Sequence, residues 1–174
     1  MSEDIHMGLP LEIGQEVPNV DLPTLVDGKF ENLNTKEEFA GKRVILFSLP
    51  GAFTPTCSNN QLPGFEEKFT EFQEKGIDAI YCLSVNDSFV MNAWFELKGI
   101  VNVKPLADGN GEFTHKIGAE CKKSNVGFGY RSWRYALVIN DGKVEKIFIE
   151  EGFGDNVESD PYEVSSPENV LNTL

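Results

Sequence analysis

The segment that most constrains the fold is a near-continuous run of apolar residues, RVILFSL, at positions 43–49. Pro50 and Gly51 follow it directly and end the run. A strand with one solvated face alternates apolar and polar residues, whereas a strand buried on both faces is apolar almost throughout. We therefore predict that positions 43–49 form a central strand of a sheet that is covered on both faces.

Strand and helix patterns alternate along the rest of the chain. Asp141 and Gly142 form the strongest hairpin signal, because an Asp-Gly pair favours the tight turn between antiparallel strands. The order of the elements predicts an α/β protein with a central mixed β-sheet flanked by helices, compatible with a thioredoxin-like fold. Three further strands are predicted at 20–26, 77–85 and 101–106, and a capping box at 35–38 predicts a short helix. Two longer helices are indicated by apolar residues that share one helical face, Phe65, Phe69 and Phe72 in the first and Val90, Trp94 and Leu97 in the second. Pro167 is predicted to open a last helix.

The composition is that of one globular domain, which we expect to span residues 1–174. Apolar residues make up 40% of the chain and charged residues 25%, and 174 residues suffice for a hydrophobic core. The net charge of -13 would repel nucleic acid and anionic membranes, and no apolar run is long enough to span a bilayer, so we expect neither partner. The first 14 residues lack the basic and apolar regions of a secretory signal, so we expect a cytoplasmic protein.

The negative charge is concentrated towards the C-terminus. Positions 150–174 hold seven acidic residues and no Lys or Arg. Such a stretch is typical of a solvated, partly mobile tail, which is the interpretation we prefer. The alternative is a docking surface for a basic redox partner.

Three cysteines, Cys57, Cys82 and Cys121, limit the chemistry available to the chain. Their odd number and wide spacing argue against a disulfide-stapled fold. No two cysteines are separated by only two residues, which excludes a thioredoxin-type dithiol motif and the usual zinc-binding pairs. With two histidines in the chain, we expect no histidine-based metal site and no bound cofactor.

The segment PGAFTPTC, at positions 50–57, links the predicted central strand to a predicted helix. Ligands of α/β sheets bind beyond the carboxyl ends of the strands, which is where this segment lies. Cys57 would occupy the first helical turn, where unpaired backbone N–H groups and the helix dipole stabilise a thiolate. Ionisation of Cys57 alone gives only a modest gain in reaction rate, because a more stable thiolate is a weaker nucleophile. A fast reaction of the thiolate with a substrate therefore needs neighbours that stabilise its transition state.

Three residues suit that role. Thr54 lies three residues before Cys57, so a turn can bring beside the sulfur a hydroxyl that can both donate a hydrogen bond to a substrate and accept one from it. Pro50 stiffens the loop and could shield the thiolate from water. Arg134 begins an apolar strand and offers a planar cation held on a rigid element, with Arg131 as the alternative.

The segment at positions 50–57 resembles the peroxidatic motif of the peroxiredoxins, specifically their fifth subfamily. The resemblance implies that Cys57 is the peroxidatic cysteine, that Thr54 and Arg134 activate it, and that Pro50 shields it. Arg134 is preferred to Arg131 because it directly precedes the aromatic residue that opens the strand. The implied activity is reduction of hydrogen peroxide and alkyl hydroperoxides. Further matches are KGID at 75–78, CLSVND at 82–87, FVM at 89–91, AW at 93–94 and RSWRY at 131–135.

The resemblance also implies how the enzyme is recycled. The animal branch has a resolving cysteine near its C-terminus, and here no cysteine follows Cys121. The sequence is more similar to the peroxiredoxin half of bacterial peroxiredoxin–glutaredoxin hybrids, which implies glutathione and/or glutaredoxin as the reductant. Cys82 matches a second cysteine of some plant members, but we expect it to be a buried packing residue and Cys121 to be more exposed. The family also suggests a homodimer, with Phe53 and Phe128 as candidate contacts.

Four alternatives remain open from the residues alone. A thiol–disulfide oxidoreductase on the same fold would need the absent C-x-x-C motif. A cysteine hydrolase would need a histidine to activate Cys57, and only His6 and His115 exist. A non-enzymatic thioredoxin-fold redox sensor would use Cys57 as a switch. A lone cysteine after a strand is also often an inert core residue.

Overall fold

The computed structural model describes residues 11–174. Most of the N-terminal segment on which the cytoplasmic expectation rests lies outside them. The strands are β1 (Asp21–Val26), β2 (Lys29–Asn34), β3 (Arg43–Ser48), β4 (Ala79–Ser84), β5 (Lys104–Ala107), β6 (Glu120–Lys122), β7 (Tyr130–Ser132), β8 (Tyr135–Asn140) and β9 (Lys143–Ile149). The α-helices are α1 (Thr35–Phe39), α2 (Leu62–Glu67), α3 (Phe69–Glu74), α4 (Ser88–Leu97), α5 (Glu112–Ile117) and α6 (Pro167–Asn172). A π-helical segment covers Cys57–Gln61, and a 3-10 turn covers Ser124–Val126.

The main sheet has five strands in the order β5-β4-β3-β8-β9. Strands β3, β4 and β5 are parallel, whereas β8 runs antiparallel to both β3 and β9. The sheet is therefore mixed, and β3 is its middle strand, as the apolar run predicts. The hairpin β1–β2 and the short pair β6–β7 form two separate small sheets.

Different elements cover the two faces of the main sheet. Val44 and Leu46 of β3 pack on one side with α1, α5 and the β1–β2 hairpin. Ile45 and Phe47 pack on the other side with α2, α3, α4 and α6. All four side chains are completely buried, which confirms that this strand has no solvated face. None of the helices within residues 11–174 is long and apolar enough to cross a membrane.

Two local predictions are wrong by small displacements along the chain. The cap of α1 is Asn34, whose side chain accepts from the Glu37 backbone N–H, because the Thr35 hydroxyl is engaged elsewhere. It accepts from the Val20 N–H and donates to the Pro18 carbonyl.

The second displacement concerns the buried face of α4. The sequence pattern pairs Val90 and Leu97 with Trp94, but Leu97 is 71% exposed. Met91 and Phe95, one turn apart, pack into the core beside Trp94 instead.

The acidic stretch after β9 is not a uniformly solvated tail. Glu150 is 2% exposed, and Ser165 and Val170 are completely buried. Helix α6 packs against the helix that follows Cys57, where Pro167 lies so close to Gly64 that a side chain there would collide with it. The chain therefore returns to the sheet, because its sparse apolar residues suffice to anchor it.

Candidate active site

Cys57 lies in the first turn of the helix that follows β3. The helix starts at Pro55, and the Ser58 N–H donates to the Thr54 carbonyl over 2.9 Å. Proline suits this first position, where its missing N–H is no loss. Cys57 is completely buried, and it lies in the first helical turn, the end of a helix that favours negative charge. This is the placement that the sequence predicts.

The helix is widened just where Cys57 lies. The Leu62 N–H donates to the Cys57 carbonyl, five residues back, so Cys57–Gln61 form a π-helical turn. Such turns are rare and often occur at functional sites. Two aromatic residues hold this helix in place. The Trp94 indole N–H donates to the Ser58 hydroxyl over 2.9 Å, and in α2 Phe65 stacks on Phe47 of β3 at 4.2 Å between ring centroids.

Arg134 precedes β8, and its guanidinium reaches the sulfur. Nη2 donates to Cys57 Sγ over 3.2 Å, and Arg134 is only 1% exposed. Burial by itself would lower the pKa of Arg134. The charge at Cys57 and the carboxylate of Asp160 outweigh burial and raise this pKa above its ordinary value. The buried cation therefore stays charged beside the sulfur.

Arg131, the alternative cation, braces the loop instead of contacting the sulfur. Its Nη1 donates to the Pro50 carbonyl over 3.0 Å and its Nε to the Phe128 carbonyl over 3.2 Å. A side chain on Gly51 would collide with this guanidinium, so the glycine allows Arg131 to approach. Between the two arginines, the structure brings Arg134 to Cys57.

Thr54 and Pro50 lie in the same loop. The Thr54 hydroxyl donates to the Gly51 carbonyl over 2.7 Å, which commits its hydrogen and leaves its lone pairs to accept from a ligand. Pro50 is buried at the end of the strand. The loop is tied to β4 through Asn86, whose side-chain oxygen accepts from the Ala52 N–H over 3.0 Å.

Two residues that the sequence analysis did not single out bind Arg134. Gln61 Oε1 accepts from Nε over 2.9 Å, and Asp160 accepts from Nη1 over 2.6 Å and from Nη2 over 3.3 Å. The Pro161 carbonyl accepts from Nη1 as well. The spacing of Gln61, four residues after Cys57, is a signal that could have found it. Nothing in the local sequence around Asp160 indicates this contact.

The segment that carries Asp160 is anchored to Glu150, which lies directly after β9. The Glu150 carboxylate accepts from the Glu163 N–H, the Ser165 N–H and the Ser165 hydroxyl, at distances between 2.6 and 3.0 Å. The Trp133 indole N–H donates to the Glu150 carbonyl, and its ring stacks on Phe153 at 5.4 Å. These contacts fix the position from which Asp160 reaches the guanidinium.

The other two cysteines are buried and lie outside this hydrogen-bond network. Cys82 is completely buried in β4, as predicted, and burial raises its pKa, with the charge at Cys57 as a smaller cause. Cys121 is 1% exposed, so the expected exposure is wrong: successive side chains of β6 point to opposite faces, and Lys122 takes the exposed one. Burial raises the pKa of Cys121 to about 11. All three cysteines are free thiols.

A cavity of about 170 Å³ opens beside the loop at positions 50–57, the candidate catalytic loop. Its walls include Pro50, Thr54, Lys123, Phe128, Glu158 and Asp160. Within residues 11–174, no three His, Cys, Asp or Glu side chains are grouped so that they could hold a metal ion. The arrangement is a buried sulfur with a cation, beside a small opening to solvent.

Comparison with known proteins gives consistent matches. The redoxin family model matches residues 12–167. A peroxiredoxin of Rhizobium etli is 62% identical over 146 residues, which cover 84% of this chain and 82% of that protein. The hybrid peroxiredoxin hyPrx5 of Haemophilus influenzae is 46% identical over 161 residues, covering 92% of this chain and 65% of that protein.

Solved structures agree with these relatives. The 1-Cys peroxiredoxin antioxidant protein of Plasmodium falciparum superposes with a TM-score of 0.90 at 36% identity, covering 94% of this chain and 98% of that one. Reduced Prx3 of Vibrio vulnificus in complex with hydrogen peroxide gives a TM-score of 0.85 at 39% identity, with 94% and 98% covered. The thioredoxin-like fold is thereby confirmed. The chain belongs to the redoxin family, and within it to the peroxiredoxins of the fifth subfamily, which are thiol-dependent peroxidases.

Proposed function

We propose that this protein reduces hydrogen peroxide and alkyl hydroperoxides with Cys57 as the attacking thiolate, and that glutathione and/or glutaredoxin restores the enzyme. The observation that carries the proposal is the contact of 3.2 Å between Arg134 Nη2 and Cys57 Sγ, in a buried site at a helix start. A fixed guanidinium favours the thiolate over the thiol, because the thiolate is the form that it can neutralise.

In the first step the Cys57 thiolate attacks the terminal oxygen of the peroxide. A sulfur–oxygen bond forms as the oxygen–oxygen bond breaks, and Cys57 becomes a sulfenic acid. The sulfur is oxidised and the peroxide is reduced. The other oxygen leaves as an alkoxide or hydroxide, which takes a proton and departs as an alcohol or water.

Arg134, Thr54 and Pro50 would support this step in different ways. The fixed charge of Arg134, whose Nη2 lies 3.2 Å from the sulfur, would stabilise the negative charge that develops on the peroxide oxygens. Thr54 would accept a hydrogen bond from the peroxide hydroxyl, since its own hydrogen is engaged by Gly51. Pro50 would limit access of water to the sulfur from the loop side.

Recycling would use external thiols. One glutathione condenses with the sulfenic acid and releases water, which leaves a mixed disulfide on Cys57. A second glutathione, or a glutaredoxin, attacks this disulfide and returns the Cys57 thiol. The burial of Cys82 and Cys121 supports a cycle with one cysteine. The relative described as a hybrid peroxiredoxin is consistent with a glutaredoxin partner.

The experiment that tests the proposal is peroxide consumption by the wild type and by Cys57→Ser. The wild type should turn over with glutathione, with or without glutaredoxin, and the variant should lose all activity while keeping its circular dichroism spectrum. Cys82→Ser is the matched control, because it alters a cysteine of equal burial. Substantial activity in Cys57→Ser would refute the assignment. A single oxidation without turnover would instead favour a redox sensor.

A further inference from the structure

The hydrogen bonds of Arg134 leave no donor free for an anionic ligand. A guanidinium has five N–H donors. Nε donates to Gln61, Nη1 to Asp160 and the Pro161 carbonyl, and Nη2 to Cys57 and Asp160. The carboxylate of Asp160 therefore already accepts from the Nη1 and Nη2 hydrogens that a substrate carboxylate would need.

Asp160 also borders the cavity beside the catalytic loop. Its side chain is 47% exposed, while that of Arg134 is 2% exposed, so Asp160 presents charge to this space and Arg134 does not. Glu158 adds a second carboxylate to the wall. Lys123 is the one cation lining the cavity among the described residues, and its ammonium lies over the Trp133 ring, 5.6 Å from the centroid.

We propose that Asp160 is a specificity-determining residue that makes the site select neutral hydroperoxides over hydroperoxides that carry a carboxylate close to the peroxide group. The inference rests on the peroxidase function proposed above. A carboxylate that entered the cavity would meet Asp160 and Glu158 at short range, where repulsion is weakly screened. It would also find the donors of Arg134 taken.

Asp160→Asn separates charge from shape. The amide oxygen can still accept from Nη1, and Gln61 and Pro161 hold the guanidinium from two other directions. The variant therefore keeps Arg134 in position while it removes one negative charge. Glu158→Gln is the matched control, because it removes a charge from the same wall at a residue with no hydrogen bond to Arg134 in the described structure.

The probes are 3-hydroperoxy-3-methylbutanoate, in which the carboxylate lies close to the peroxide group, and the methyl ester of the same compound. The measurement is the second-order rate constant for oxidation of reduced Cys57 at neutral pH. The wild type should oxidise faster with the ester. Asp160→Asn should raise the rate with the acid relative to the ester about tenfold. Glu158→Gln should change that ratio less than about threefold, since its effect is through space alone.

Ionic strength gives a second readout. Because the net charge of -13 repels any anion, the rate with the acid should rise with added salt in both proteins, but it should rise more in the wild type than in Asp160→Asn, while the rate with the ester stays constant. An acid-to-ester ratio in Asp160→Asn within about twofold of the wild type would overturn the proposal. So would a wild-type rate with the acid that falls with salt. A wild type that reduces neither compound would instead refute the peroxidase function itself.

Discussion

A lysine at position 134 would carry the same charge as Arg134 but a different set of donors. The guanidinium contacts Cys57 Sγ, Gln61 and Asp160 at once, and an ammonium cannot reproduce that planar geometry. We expect Arg134→Lys to lower the second-order rate constant of Cys57 with hydrogen peroxide by more than about tenfold. Stopped-flow measurement on the reduced protein would test this.

Arg131→Lys is the control for that variant. Arg131 has no hydrogen bond to Cys57 in the described structure and braces the loop through the Pro50 carbonyl. We expect a smaller decrease from Arg131→Lys than from Arg134→Lys. If Arg134→Lys slows the reaction by less than about threefold, which is under 1 kcal/mol, Arg134 has no part in the transition state.

The sequence alone predicts which site residues lie close together when they are neighbours in the chain. It does not predict which distant residues folding brings to the site. Cys57, Thr54 and Pro50 share one short loop, so their proximity follows from chain connectivity. Arg134 was selected by resemblance and by its place at a strand start. Asp160 was not predicted, because nothing in the sequence around one acidic residue of an acidic stretch indicates that it will bind Arg134 after folding.

At the scale of elements, the position of the central strand was predicted correctly, whereas the fine geometry of the helices was not. The apolar pattern at positions 43–49 identified β3 as the central strand, because sheet faces must be covered. The π-helical turn Cys57–Gln61 was not predicted, since its extra width depends on packing against residues such as Trp94. The cap of α1 was displaced to Asn34 because tertiary hydrogen bonds took the Thr35 hydroxyl.

Strand burial leads to a prediction about recycling. Cys82 lies in β4 and Cys121 in β6, both buried with raised pKa values, so neither thiol forms a thiolate readily. The double variant Cys82→Ser, Cys121→Ser should keep nearly full activity with glutathione and glutaredoxin. Mass spectrometry of the oxidised wild type should show a glutathione adduct on Cys57.

Two results together would contradict this one-cysteine cycle. They are a dominant disulfide between Cys57 and either other cysteine, and loss of turnover in the double variant. Unfolding of the double variant, followed by circular dichroism, separates a catalytic effect from simple destabilisation of the core.

An ion pair between strands should make stability depend on pH. Arg43 of β3 donates to both carboxylate oxygens of Glu145 on β9, over 3.0 and 2.6 Å. The hydrogen bond from Arg43 is the main reason that the pKa of Glu145 lies below its ordinary value of 4.5. A lowered carboxyl pKa stabilises the fold above the unfolded value, and this stabilisation is lost as pH falls through the folded value.

We therefore expect Glu145→Gln to lower the free energy of unfolding by about 1 kcal/mol at pH 7, since the pair is bidentate but partly solvated. The difference from wild type should shrink as pH falls below 4.5. Urea unfolding at a series of pH values measures it. Glu71→Gln, at a looser pair with Lys68, is the control and should change stability less. A difference that is the same at every pH would contradict the prediction.

At the scale of the whole molecule, we predict a homodimer, as the family suggests. Phe53 lies in the loop at positions 50–57 and is 50% exposed, so its ring is available for a contact between chains. Its φ of 67° is uncommon for a bulky residue. Light scattering at micromolar concentration should give twice the mass of one chain, and Phe53→Asp should weaken the association. Phe30→Asp, at a phenylalanine that is 61% exposed and lies in β2 instead of in this loop, is the control. A monomeric wild type would count against the prediction.

The contact between Cys57 and Arg134 joins residues that are 77 positions apart, and Asp160 lies 26 positions further on. At about 5–20 residues per second, a ribosome makes Cys57 roughly 4 to 15 s before it makes Arg134. On the proposed mechanism, the nascent thiol lacks its activating cation throughout that interval. On that mechanism, the order of residues along the chain delays the fast reaction of Cys57 with peroxide until most of the protein has been synthesised.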